Sequence, residues 1–132
     1  MICKWPGKVV ANTTNGNLVD FTDILPTFAG IANIPVPSYG ILDGTSFYPQ
    51  LKGRTGKLRR YIFTDFTSTV CGNGGNHLRY SQDSVYKLYD NGNFYRFKKD
   101  ILETNPLTDS TLTPRQQSVK QNLQNILNNM HN

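Results

Sequence analysis

Cysteine is scarce in this 132-residue chain, which holds only Cys3 and Cys71. The two form no C-x-x-C pair and have no histidine close by, so zinc-ribbon and thioredoxin-like spacings are excluded. Free structural thiols are the expectation. Long apolar runs are missing as well. Nothing approaches the ~20 residues that a membrane span needs, and no membrane partner is expected. The opening MICKWPGK is too short, and too interrupted by Pro6, for a secretion signal. It reads instead as the middle of a longer protein, a strand and turn with nothing before it. There is no internal repeat, no low-complexity tract and no adjacent pair of aspartates that would suggest a metal cage.

Acidic residues are the minority, 9 Asp plus Glu against 14 Lys plus Arg, for a formal charge of +5. The excess is local. Lys52, Arg54, Lys57, Arg59 and Arg60 crowd one stretch, with Lys98 and Lys99 further on. Such a cluster can collect sulfated sugars or phosphates. Beside Gly53 and Gly56 it reads first as a solvated loop, and no nucleic-acid partner is expected. The hydrophobic fraction, 37%, is low for a globular chain. The length suffices for one domain that buries roughly two-thirds of its unfolded surface.

What is present is a legible series of elements. Leu18-Val19 reads as a short strand. Asp20 and Asp23 are placed to cap a helix that has Pro26 near its start, where the missing N–H costs least. Ile24, Leu25, Phe28 and Ile31 recur at helical spacing and predict one buried stripe. Gly30 either permits close packing or helps to end the helix. Ile34-Pro35-Val36-Pro37 must run extended. Asp43-Gly44 marks a turn, with Thr45 or Ser46 able to cap a brief helix over Phe47 to Leu51.

Beyond the basic stretch, Tyr61 to Phe66 is rich in aromatic and β-branched residues and predicts a strand. Cys71 to Asn76 is a glycine-asparagine loop. Leu78–Ser81, Val85–Tyr89 and Phe94–Phe97 are further strands, the last two joined by a hairpin turn whose Asn91-Gly92 supplies positive φ angles. Short connections make an antiparallel sheet the economical arrangement. Thr113, Pro114 and Gln116 spell a capping box ahead of a helix. Its stripe of Val119, Leu123, Ile126, Leu127 and Met130 must pack on that sheet. The aromatics of residues 86 to 97 read as core and cross-strand pairs before a sugar-stacking platform.

In order along the chain, five segments resemble the downstream part of the sulfatase family. They are Trp5-Pro6-Gly7, the V-D-x-x-P-T helix over Leu18 to Ile31, and the D-G-x-S segment over Asp43 to Leu51. Arg79-Tyr80 with Tyr86-Lys87-Leu88 follows, and then FKKDILETNPL, with Ile101 where the family often has proline. The resemblance implies an α+β fold: a small antiparallel sheet packed by a C-terminal amphipathic helix, with an N-terminal helix-and-loop remnant of the sulfatase α/β domain. The remnant is expected over residues 1–60 and the sheet subdomain over residues 61–132.

Sulfatases hydrolyse sulfate esters with a formylglycine made from a Cys or Ser in C/S-x-P/A-x-R, aided by calcium held on carboxylates. Neither Cys3-Lys4-Trp5-Pro6 nor Cys71-Gly72-Asn73-Gly74 fits that motif. Calcium and formylglycine are therefore expected in a catalytic half outside this chain, and the chain alone is expected to be inactive. The resemblance places Asp65 and His77 at a possible rim of the substrate cleft. A missing N-terminal sulfatase domain is the implied partner, and a sulfated glycan or aryl sulfate the implied ligand of the whole enzyme. Two other readings stand beside this one: a binding module for anionic glycans, and an interaction piece that completes a separately encoded catalytic half. The parent family is often periplasmic or secreted.

Overall fold

The computed structural model describes residues 1–36, 38, 40, 42–67 and 77–130. Cys71, the glycine-asparagine loop and Pro37 lie outside the described residues. The chain forms two compact units, Met1–Arg59 and Arg60–Asn132.

In the first unit a single turn of 3-10 helix, Phe21–Asp23, leads into α1 (Ile24–Ala32). The Asp20 side chain accepts from the Phe21 N–H at 2.7 Å, and Asp23 reaches back to the Asp20 N–H at 2.9 Å. Together they close a reciprocal capping box. Asn33, at φ +56°, ends α1 in the left-handed region, so the stop falls three residues beyond Gly30. A short α2 (Tyr48–Leu51) follows, with Pro49 in its first turn.

Asp43-Gly44, expected as a turn, runs as irregular chain between these helices, and only glycine fits there. A Cβ at Gly44 would lie 2.1 Å from the Thr22 carbonyl oxygen. Leu18 pairs with Arg59 in an isolated antiparallel bridge, which is all the strand character that Leu18-Val19 acquires.

The helical stripe expected to be buried is only partly so. Thr27 and Ala29 are buried and Ile24 and Ile31 half-buried, whereas Leu25 is 48% and Phe28 63% exposed. The reason is polar. Thr27 donates from Oγ1 to the Asp23 carbonyl at 2.7 Å and accepts from the Phe47 N–H at 3.0 Å. Together with buried Asp23, these bonds turn the polar face of α1 inward and its large apolar side chains outward.

The second unit is a four-stranded antiparallel sheet in the order β1-β2-β3-β4. The strands are β1 (Ile62–Thr67), β2 (His77–Gln82), β3 (Lys87–Tyr89) and β4 (Phe94–Tyr95). Val85 and Tyr86 are not part of β3, because the Asp83 carboxylate accepts both of their N–H groups at 2.7 Å in a side-chain turn. The β3–β4 hairpin uses a positive φ only at Gly92 (+88°). Asn91 instead accepts the Asn93 N–H through its side chain at 3.0 Å.

The C-terminal helix α3 (Pro114–Asn129) lies on this sheet. It starts with Thr113 and Gln116 in a capping box and Pro114 in the first turn. Leu88, Phe94, Leu112, Leu123 and Leu127 form the core between sheet and helix, with Phe63, Tyr86, Val119 and Ile126 packed around them. Period-two alternation puts Phe63, Ser81, Leu88 and Phe94 on the helix side of the sheet. The fold is α+β, with an antiparallel sheet packed by a C-terminal amphipathic helix.

Candidate functional site

Asp65 and His77 stand at the helix-facing end of the β1–β2 ladder. The register pairs Asp65 with Arg79 and Thr67 with His77, so Asp65, His77 and Arg79 share one face by the period-two rule. The structure brings the two candidate residues together. His77 Nε2 lies 2.7 Å from Asp65 Oδ1, and the second carboxylate oxygen is 3.3 Å from Arg79 Nε. Asp65 thus sits between a half-exposed imidazole and a largely buried guanidinium. A carboxylate at Nε2 orients the ring and favours a proton on that nitrogen.

Arg79 is the member that the sequence reading did not single out. Its Nη2 donates to the Leu127 carbonyl at 2.6 Å, near the end of α3, where unpaired carbonyls and the helix dipole favour a cation. Ser81, two residues on, donates its hydroxyl to the Leu123 carbonyl at 2.9 Å. These two β2 side chains fasten the helix to the sheet one turn apart. The signal was present in the period-two spacing of His77, Arg79 and Ser81, but only the helix position reveals what Arg79 holds.

A second polar cluster occupies the opposite face. Lys87 and Tyr89 both bond the Glu103 carboxylate, each at 2.5 Å, and the Lys87 ammonium lies 4.6 Å from the centre of the Tyr80 ring. Burial disfavours charge on Lys87, yet the bond to Glu103 and the nearby negative charges outweigh it and raise its pKa above the ordinary lysine value. Burial, reinforced by Glu103, raises Tyr89 as well. The tyrosines pack on one another, Tyr80 with Tyr89 at 5.6 Å and Tyr89 edge-on to Tyr95 at 5.9 Å. On the helix side Tyr86 stacks on Phe94 at 5.2 Å. The tyrosine pairs are cross-strand packing, and Tyr86 packs on β4 from the turn ahead of β3.

In the first unit Arg59 closes on Asp23, which is 1% exposed. Arg59 also donates to the Thr22 hydroxyl at 2.9 Å and the Asp43 carbonyl at 3.0 Å. One cation of the basic stretch is therefore committed to the fold. Lys52 lies over the Tyr48 ring at 5.0 Å from its centre. Among the described residues no three His, Cys, Asp or Glu side chains come together as a metal-binding group. Asp20 and Asp23 are engaged by the cap and by Arg59, and do not fit a calcium cage.

No protein-family model matches the chain. The ulvan-active sulfatase of Formosa agariphila is 34% identical to it over 62 residues, 47% of this chain and 12% of that protein. The solved structure of a 2-O GAG sulfatase superposes on 81% of this chain and 23% of its own, with a TM-score of 0.62 and 26% identity. Another chain, solved in complex with its substrate D-glucosamine-2-N,6-O-disulfate, covers 79% of this one with a TM-score of 0.62. At 21% identity that likeness is one of fold. The chain spans less than a quarter of each of these proteins.

Proposed function

We propose that the chain is a sulfatase-family segment, the C-terminal supporting part of a sulfuric ester hydrolase. It braces the catalytic domain and supplies part of the wall of the substrate cleft. One observation carries this reading: four-fifths of the chain superposes on a sulfatase, yet it accounts for only 23% of that enzyme. The nucleophile, the cation cage and the cationic groups that stabilise the leaving sulfate belong to the other three-quarters. The sequence here has no C/S-x-P/A-x-R from which a formylglycine could be made.

Within this reading Asp65 and His77 form a polar point at the cleft rim. With Nε2 turned to Asp65, the outward Nδ1 can accept from a sugar hydroxyl, while Arg79 keeps Asp65 in place from behind. The ligand of the whole enzyme would be a sulfated glycan or an aryl sulfate. The test is direct. The isolated chain, supplied with calcium and an aryl sulfate, is expected to release no sulfate above the buffer rate. Measurable turnover that is lost on replacing Cys3 or Cys71 would overturn the assignment.

A further inference from the structure

The turn after β4 presents two large aliphatic side chains to solvent, Ile101 and Leu102, each 84% exposed. They occupy the two corner positions of a turn closed by the Glu103 N–H donating to the Asp100 carbonyl at 3.1 Å. Turn corners ordinarily carry Pro, Gly, Asn or Asp, so two exposed aliphatics there call for an explanation. The turn is firmly built. The Asp100 carboxylate accepts the Thr104 N–H at 3.1 Å and the Asn105 N–H at 2.8 Å. Glu103, at φ +53°, sends its own carboxylate to Lys87 and Tyr89.

The Glu103 carboxylate is taken up by Lys87 and Tyr89, and the Asp100 carboxylate stays at the surface on the Thr104 and Asn105 N–H groups, one anion against the exposed cations Arg96, Lys98 and Lys99. The outcome is a turn with two exposed aliphatic corners, preceded in the chain by three exposed cations. We infer that this turn is a contact point for an anionic lipid surface, with Ile101 and Leu102 entering the headgroup–acyl boundary and the three cations facing lipid phosphates and carboxylates. Charge complementarity selects the partner, and a deformable interface accepts two exposed aliphatic side chains without a matching pocket. No helix of the described residues is long and apolar enough to cross a membrane. The sequence reading expected no membrane partner because it weighed only spanning segments.

The experiment is co-sedimentation of the full chain with vesicles of phosphatidylcholine alone or containing about one-third phosphatidylserine, at low and near-physiological salt. Binding is expected to the anionic vesicles only, and to weaken with salt. The I101S/L102S variant has the same charge, and its affinity is expected to fall about tenfold or more. An L102W variant in a W5F background provides a second readout, because its fluorescence should shift to the blue on adding anionic vesicles. Absence of vesicle binding would overturn the inference. So would equal binding by the double-serine variant, which would show that general positive charge alone is responsible. Capture by an acidic protein in place of vesicles would overturn it too.

Discussion

Arg59 and Asp23 lie thirty-six residues apart and meet as a buried pair, the guanidinium Nε at 2.9 Å from one carboxylate oxygen and 3.2 Å from the other. Asp23 also accepts the N–H of Asp20 and, at 2.6 Å, that of Thr45. One carboxylate therefore joins the start of α1, the irregular segment at Thr45 and the end of the first unit. Burying two charges is costly, and it is offset here because nearly every lone pair has a donor.

Removing one partner should therefore be worse than removing the charge from both. Arg59→Met leaves a buried carboxylate without its cation and is expected to destabilise the first unit by about 3–5 kcal/mol. The double variant Asp23→Asn/Arg59→Met should recover part of that loss. Urea titrations of the two variants check it, and equal losses would mean that the charge itself is not the issue.

The same carboxylate predicts an acid limit. Burial pushes the Asp23 pKa up, but bonds from Arg59, Thr45 and Asp20 outweigh burial and hold it below the ordinary aspartate value. A depressed carboxylate pKa contributes stability above the unfolded value, and that contribution is lost as pH falls through the folded value. Stability should drop on acidification below about pH 4, and the drop should be smaller in Asp23→Asn. Thermal unfolding between pH 7 and pH 2 measures both.

At the alkaline end the pair Lys87 and Tyr89 governs the second unit. Both pKa values are raised, so both groups favour their protonated form in the folded chain. Their contribution is complete below the unfolded values and is lost as pH rises through the folded ones. Glu103→Gln removes the anion that these groups share, and the alkaline midpoint of unfolding should move to lower pH. In the variant the Tyr89 resonance, followed by NMR, should titrate earlier.

Much of this architecture could be read from the residues, and the misses share one cause. Thr113, Pro114 and Gln116 act within a single turn of chain, so their capping box was visible in their order. The antiparallel sheet followed from short connections between β-rich stretches. The outward turn of Leu25 and Phe28 was not visible, because it depends on Thr27 bonding Phe47, twenty positions away. Asp65 and His77 could be named as neighbours of one loop. Arg79 could not, since its partner at Leu127 is forty-eight residues distant and reaches it only when α3 docks. Local chemistry is written locally, whereas long-range polar bonds need the fold.

The capping box offers a calibrated check on the helix that covers the core. Thr113 Oγ1 accepts the Gln116 N–H, and Gln116 Oε1 accepts the Thr113 N–H at 2.9 Å. Thr113→Ala leaves the Gln116 N–H to water and should cost about 1 kcal/mol. Thr113→Ser should be nearly neutral. Leu127→Ala, which opens a cavity under the same helix, should cost about 2–5 kcal/mol. If the cap change equalled the core change, the helix would be held from its end and not along its face.

The final contrast separates support from function at Asp65. Arg79→Met removes a charged donor from the Leu127 carbonyl and a cation from the carboxylate, and should destabilise the second unit by about 1.5–3 kcal/mol. His77→Ala breaks a pair whose side chains are 49% and 43% exposed, and should cost no more than about 1 kcal/mol. The same histidine change, made in a complete and active sulfatase containing this segment, should raise KM for a sulfated glycan while leaving unfolding unchanged. A His77 variant as unstable as the Arg79 variant would assign the imidazole to the fold and remove it from the rim.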